Sequence, residues 1–81
     1  MRLDKFLKVS RVIKRRTVAN EACDTGHVSV NGTVAKPSAD VKEGDVVSIR
    51  FGEKTTTFRI LSISEHVLKA DASAMYEIIS Q

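Results

Sequence analysis

The apolar residues of this chain change period at Gly26. Ahead of it, Leu3, Phe6 and Leu7, and then Ala19, Ala22 and Cys23, recur at i, i+3, i+4, the spacing that lines one face of a helix. Beyond it, Val28 and Val30, then Val47, Ile49 and Phe51, then Phe58 and Ile60 alternate as in half-buried strands. Such a pattern is incompatible with an all-helical bundle or an all-β barrel. It specifies an α+β module: two short helices packed on a small, mostly antiparallel sheet. At 81 residues the chain buries only roughly 60–65% of its unfolded surface, enough for one compact core and no deep chamber. Residues 1–81 are therefore expected to form a single domain.

Boundaries follow from local chemistry. The first helix is expected from Met1 to about Val9, with Asp4 suiting the positive end of its dipole and Val12 and Ile13 anchoring a short connection. Thr17 is the N-cap candidate of the second helix, although Asn20 stands where a capping box would place Glu or Gln. Gly26 suits a left-handed helix end. Asn31-Gly32 is a strong hairpin-turn signal, followed by a brief return strand over Thr33–Ala35 that Lys36-Pro37 stops. Residues 38–45 read as a connection. A third strand is expected over Val46–Phe51, with Val47, Ile49 and Phe51 on one face. A turn at Gly52-Glu53-Lys54 leads to a fourth strand over Thr55–Ile63. Beyond it, Ser64–Lys69 carries no clear pattern, Asp71–Met75 suits a helical turn, and Tyr76, Ile78 and Ile79 are expected to lie back on the core.

Charge is distributed unevenly. Residues 1–20 hold seven basic side chains against the lone acid Asp4, a net of +6, while residues 21–81 hold six against nine, a net of −3. Together these give the +3 of the whole chain. A general solubility surface mixes the signs, whereas a concentrated block aims a field at a polyanion. Apolar runs are too short to span a bilayer and none near Met1 resembles a signal peptide, so a soluble, cytoplasmic, membrane-independent module is expected.

No pattern points to catalysis. His27 and His66 lack carboxylate or thiol partners at metal-ligand spacing, and the lone Cys23 lies in apolar phase as a small buried hydrophobe. The scattered glycines form no phosphate-cradling loop ending in Lys-Ser or Lys-Thr, and Glu43, Asp45 and Glu53 cluster at turns. The expectation is a non-enzyme without metal or cofactor. A basic block can neutralise phosphates without reading sequence. The second helix carries Asn20, Glu21 and Asp24 in place of base-reading cations, and Phe6, Phe51 and Phe58 fall in apolar phase. Both features favour structured RNA over a DNA major groove or a single-strand stacking platform. A small DNA-binding regulator and a basic protein-interaction module stay open on these residues alone.

Four blocks stand in order over residues 1–51: Met1-Arg2-Leu3-Asp4-Lys5-Phe6-Leu7; Arg11-Val12-Ile13-Lys14-Arg15-Arg16-Thr17; Gly26-x-Val28-x-Val30-Asn31-Gly32; and Lys36-Pro37-Ser38 with Val41-Lys42-x-Gly44-Asp45. Together they closely resemble the small RNA-binding domain named after ribosomal protein S4. The resemblance implies an αL-like RNA-binding module that grips RNA at its helical pair. Leu7-Lys8-Val9-Ser10-Arg11, Lys14–Thr17, Phe51-Gly52, Met75-Tyr76 and the overall length are similar to the stand-alone RqcP family of bacterial ribosome quality-control proteins. Those are relatives of the fifteen-kilodalton heat-shock protein, whose basic C-terminal extension has no counterpart before Gln81.

What this resemblance implies is a monomeric factor on split large ribosomal subunits that still carry P-site peptidyl-tRNA. It would touch large-subunit rRNA and the tRNA, and help the partner RqcH extend the nascent chain with alanine. A general large-subunit recycling role of the heat-shock type is the alternative. Arg2 and Arg16 match the family's RNA-gripping arginines, and Lys14 and Arg15 fill the same basic junction. With Lys5 and Arg11 they complete the candidate RNA-binding set.

Overall fold

A computed structural model describes residues 1–65 and 67–80; His66, weighed above as a metal ligand, and Gln81 lie outside the described residues. Helix α1 spans Leu3–Val9 and helix α2 Arg16–Asp24. Strands β1 (Val28–Val30), β2 (Thr33–Val34), β3 (Val46–Phe51) and β4 (Lys54–Ile60) follow. A 3-10 helix over Lys69–Met75 leads into β5, Tyr76–Ser80. All five strands join one antiparallel sheet in the order β2-β1-β3-β4-β5.

The helical period does what it specifies. Leu3, Phe6 and Leu7 are fully buried, and the Phe6 ring stacks on Phe58 of β4 with centroids 6.3 Å apart. Tyr76 of β5 closes on the same Phe58 ring at 5.2 Å. Burying side chains of this size stabilises by roughly 1.5–3 kcal/mol each, so three of them seat α1 firmly on the sheet. Small Ala19, Ala22 and Cys23 form the buried stripe of α2 and let it lie close to α1. Register places Val30 opposite Val47 and Val47 opposite Phe58, a continuous apolar row beneath the helices. Ser48 and Thr57 share a hydroxyl hydrogen bond of 3.0 Å between β3 and β4.

Gly26 ends α2 at φ 79°. The His27 N–H bonds the Ala22 carbonyl and the Gly26 N–H bonds that of Cys23, the paired closure that a left-handed residue permits. Asn31 and Gly32 both take positive φ, 52° and 84°, as a twisted two-residue hairpin turn requires.

Several expectations shift. Thr17 is not the N-cap of α2: extended Arg15 occupies that place, its carbonyl accepts the Ala19 N–H, and no side chain caps the helix. Lys54 belongs to β4, and β4 ends at Ile60, beyond which the Leu61 and Ser62 N–H groups both bond the Met75 carbonyl at the end of the 3-10 segment. Phe51 alternates correctly but is 50% exposed at the far end of β3, paired with Lys54 beside the turn. The tail forms an edge strand: Tyr76 is half-buried, while Ile78 and Ile79 stay exposed instead of lying on the core. The turn expected over Asp71–Met75 is a longer 3-10 segment anchored by buried Ala72 and Met75.

Candidate nucleic-acid interface

The chain's first residues are held from the side by the segment after β2. Leu3 N–H bonds the Ala39 carbonyl at 2.8 Å, Asp4 N–H that of Pro37, and Val41 N–H that of Met1. Arg2 forms an isolated bridge with Asp40, whose carboxylate meets the terminal ammonium at 2.6 Å. The hydrogen bond and charge of that ammonium lower the Asp40 pKa. Lys36-Pro37-Ser38 thus opens a clasp that fixes the backbone of Arg2, a residue that would otherwise fray.

Arg2 and Arg16, from the starts of the two helices, converge on one buried carboxylate. Arg2 donates from Nε to Asp4 Oδ1 at 3.2 Å and from a terminal nitrogen to Oδ2 at 3.3 Å. Arg16 Nε stands 3.5 Å from Oδ2, and Asn20 Nδ2 donates to the same oxygen at 3.4 Å. The Lys5 backbone N–H completes the set at 2.8 Å. Burial alone would raise the Asp4 pKa; hydrogen bonds from Arg2, Asn20 and Arg16, with the Arg16 charge, outweigh it and hold the carboxyl below its ordinary value. Two guanidiniums repel each other, and a shared anion is what lets them sit together. The Asp4 side chain is 3% exposed, while those of Arg2 and Arg16 are 51% and 48% exposed. Most of the five N–H donors on each guanidinium are therefore left for an outside acceptor.

The other four candidates lie elsewhere. Lys5 reaches across to Glu65, 3.1 Å from Nζ to Oε1. Arg11 and Lys14, in the connection between the helices, line an open groove with Lys8, Lys69 and Glu65. Arg15 is exposed at the start of α2. The six do not form one continuous clamp: Arg2 and Arg16 gather at one end of α1, and Arg11 and Lys14 at the other. Half of the set is engaged by the chain's own acids, and for Arg2 and Arg16 that acid gathers the charges while leaving them exposed. From spacing alone Asp4 reads as a helix-dipole residue and Asn20 as a departure from a capping box, and neither Lys8 nor Lys69 belongs to the candidate set. The position of Asp4 as the lone acid among seven cations was the available signal.

Burial pushes the Cys23 thiol up to about 11, helped by the negative charges of Asp4 and Asp24. At that value it is protonated at neutral pH and a poor nucleophile. Among the described residues no group of three or more His, Cys, Asp or Glu side chains could hold a metal ion, and no helix is long and apolar enough to cross a membrane.

Comparison with known proteins agrees with this architecture. The S4 domain family matches residues 1–47. The RQC P-site tRNA stabilizing factor of Halalkalibacterium halodurans is 58% identical over 96% of this chain and 89% of its own length. That of Streptococcus pneumoniae is 56% identical over 100% and 92%. Among solved structures, the trimeric heat shock protein 15 of Vibrio cholerae superposes with a TM-score of 0.89 at 33% identity, covering 99% of this chain and 82% of that one. The chain belongs to the S4-domain family and, within it, to the RqcP group of RQC P-site tRNA stabilizing factors, with heat shock protein 15 as a relative.

Proposed function

We propose that this chain is a non-enzymatic RNA-binding factor of ribosome-associated quality control. It binds P-site peptidyl-tRNA and large-subunit rRNA on split large ribosomal subunits, and so supports alanine tailing of the nascent chain by RqcH. The observation that carries the proposal is the convergence of Arg2 and Arg16 on Asp4. Arginines fixed on a rigid scaffold meet phosphate oxygens with little further loss of side-chain freedom, and charge-assisted bonds to phosphate are the stronger kind. The start of α2 adds to this, because no side chain caps it and its amide dipoles favour an anion beside Arg16. Arg15, exposed at the same helix start, extends the cationic surface, and Lys5, Arg11 and Lys14 supply longer-range attraction. The names borne by relatives more than 50% identical over nearly the whole chain supply the setting, P-site tRNA in quality control.

Arg16→Ala is the direct test. Asp4 keeps Arg2, Asn20 and the Lys5 N–H as partners, so the domain stays folded. Losing charge-assisted phosphate bonds should weaken binding about tenfold or more. Sedimentation with purified large subunits carrying peptidyl-tRNA reads this loss. Wild-type co-migration of the folded variant contradicts the assignment.

A further inference from the structure

Helices α1 and α2 end in the same backbone device but fill it differently. At the end of α2 the left-handed residue is Gly26, φ 79°, the residue for which this conformation costs nothing. At the end of α1 it is Arg11, φ 63°, whose N–H bonds the Lys8 carbonyl just after the capping Ser10. A long side chain in that region strains the backbone, and such strain gathers where the side chain is needed for something other than folding. What Arg11 reaches is an open groove. Lys8, Arg11, Lys14 and Lys69 line it, with Glu65 as the lone carboxylate and Val9, Val67 and Leu68 supplying its apolar part. Glu65 already receives Lys5 at 3.1 Å. The side chains of the four lining cations are exposed and have no hydrogen-bond or ion-pair partner among the described residues. Leu68 is 76% exposed beside them.

Four cations without a partner among the described residues repel one another on this groove, and folding gains nothing from keeping them together. Lys8 suits the negative end of the α1 dipole, but that accounts for one charge and leaves Lys14 and Lys69 unexplained. We infer that this groove is a second binding site for RNA phosphates, lying at the opposite end of α1 from Arg2 and Arg16 and extending the RNA surface past the S4-matching residues 1–47 to Lys69. Exposed Leu68 supplies an apolar surface for a ribose or an unstacked base between those phosphates. The inference rests on the proposed RNA-binding function and adds a site to it.

Two variants of the full chain test it, titrated against purified large subunits and against deacylated tRNA. Arg11→Gly removes a cation and relieves the strain. Its unfolding midpoint should sit at or up to about 4–8 °C above wild type while RNA affinity falls several-fold. Lys8→Gln/Lys69→Gln, on exposed positions, should keep its stability, lose roughly tenfold in affinity for at least one of the two RNAs, and show a salt slope shallower by about 1.5–2. If both variants bind both RNAs like wild type while Arg16→Ala fails, the groove is not a site and the function stands. If these variants fail while Arg16→Ala binds normally, the groove stands and the Arg2–Arg16 assignment falls. Wild-type protein that binds neither RNA overturns both.

Discussion

The two ends of α1 are both cationic, yet they are organised in opposite ways. At its start, Arg2 and Arg16 are drawn together by the buried carboxylate of Asp4, with Asn20 and a backbone N–H sharing the work. At its finish, Lys8, Arg11 and Lys14 face Lys69 with Glu65 as the lone acid, which Lys5 already engages. The first arrangement is held by the protein's own contacts, so under the proposed function an RNA phosphate would meet fixed donors. The second keeps long side chains free and gives charge without fixed geometry. The contrast teaches that a basic cluster is not one thing: an internal anion turns repelling cations into a directional site, and its absence leaves an electrostatic funnel.

The largest effect expected is one that spares neither end. Phe6→Ala removes the ring that stacks on Phe58 and should cost about 3–5 kcal/mol in urea unfolding, abolishing RNA binding at both ends together. Loss confined to one end would show that α1 is not the common seat.

Next comes Arg2→Ala/Arg16→Ala, expected to lower large-subunit affinity about 100-fold, against roughly tenfold for Lys8→Gln/Lys69→Gln. Equal losses in a binding titration would erase the distinction between directional and diffuse cations. Asp4→Asn sharpens it further. Net charge rises by one, which on electrostatics alone strengthens RNA binding. If Asp4 orients the arginines, affinity instead falls several-fold and stability drops by about 1–3 kcal/mol. Tighter binding by the Asn variant would show that orientation does not matter.

The smallest effect concerns pH. The folded Asp4 pKa lies below its unfolded value, so its contribution to stability is present above about pH 4 and disappears as pH falls through the lowered folded value. Stability from Asp4, and with it the Arg2–Arg16 arrangement, should stay flat between pH 6 and 8 in urea titrations. A decline already at pH 6 would mean the carboxylate is not held as described.

Much of the fold was legible because period and turn chemistry are local. Leu3, Phe6 and Leu7, the Asn31-Gly32 turn and the Gly26 helix end all sit where spacing put them. β5 was not, because Ile78 and Ile79 are adjacent apolar residues that break alternation, and an exposed edge strand pairs by backbone bonds that leave no mark on the sequence. Arg15 replaced Thr17 at the start of α2 because an N-cap is defined by backbone conformation, extended here at φ −120° and ψ 132°, whether or not its side chain can cap. The site was half legible. Cations were visible as a block, but the sorting of Arg16 onto Asp4 and of Lys5 onto Glu65 depends on contacts 12 and 60 residues apart in sequence. Lys69 was hidden for the same reason, since residues 64–69 show no period that would place it beside Lys14.

The central claim, that Arg16 grips an RNA phosphate from a position Asp4 holds for it, is tested most directly by the salt dependence of large-subunit binding for wild type and Arg16→Ala. Removing one phosphate contact should make the slope of log affinity against log salt shallower by about 0.7–1, with the affinity itself reduced. An unchanged slope, with the variant folded, would place Arg16 away from the RNA and contradict the account.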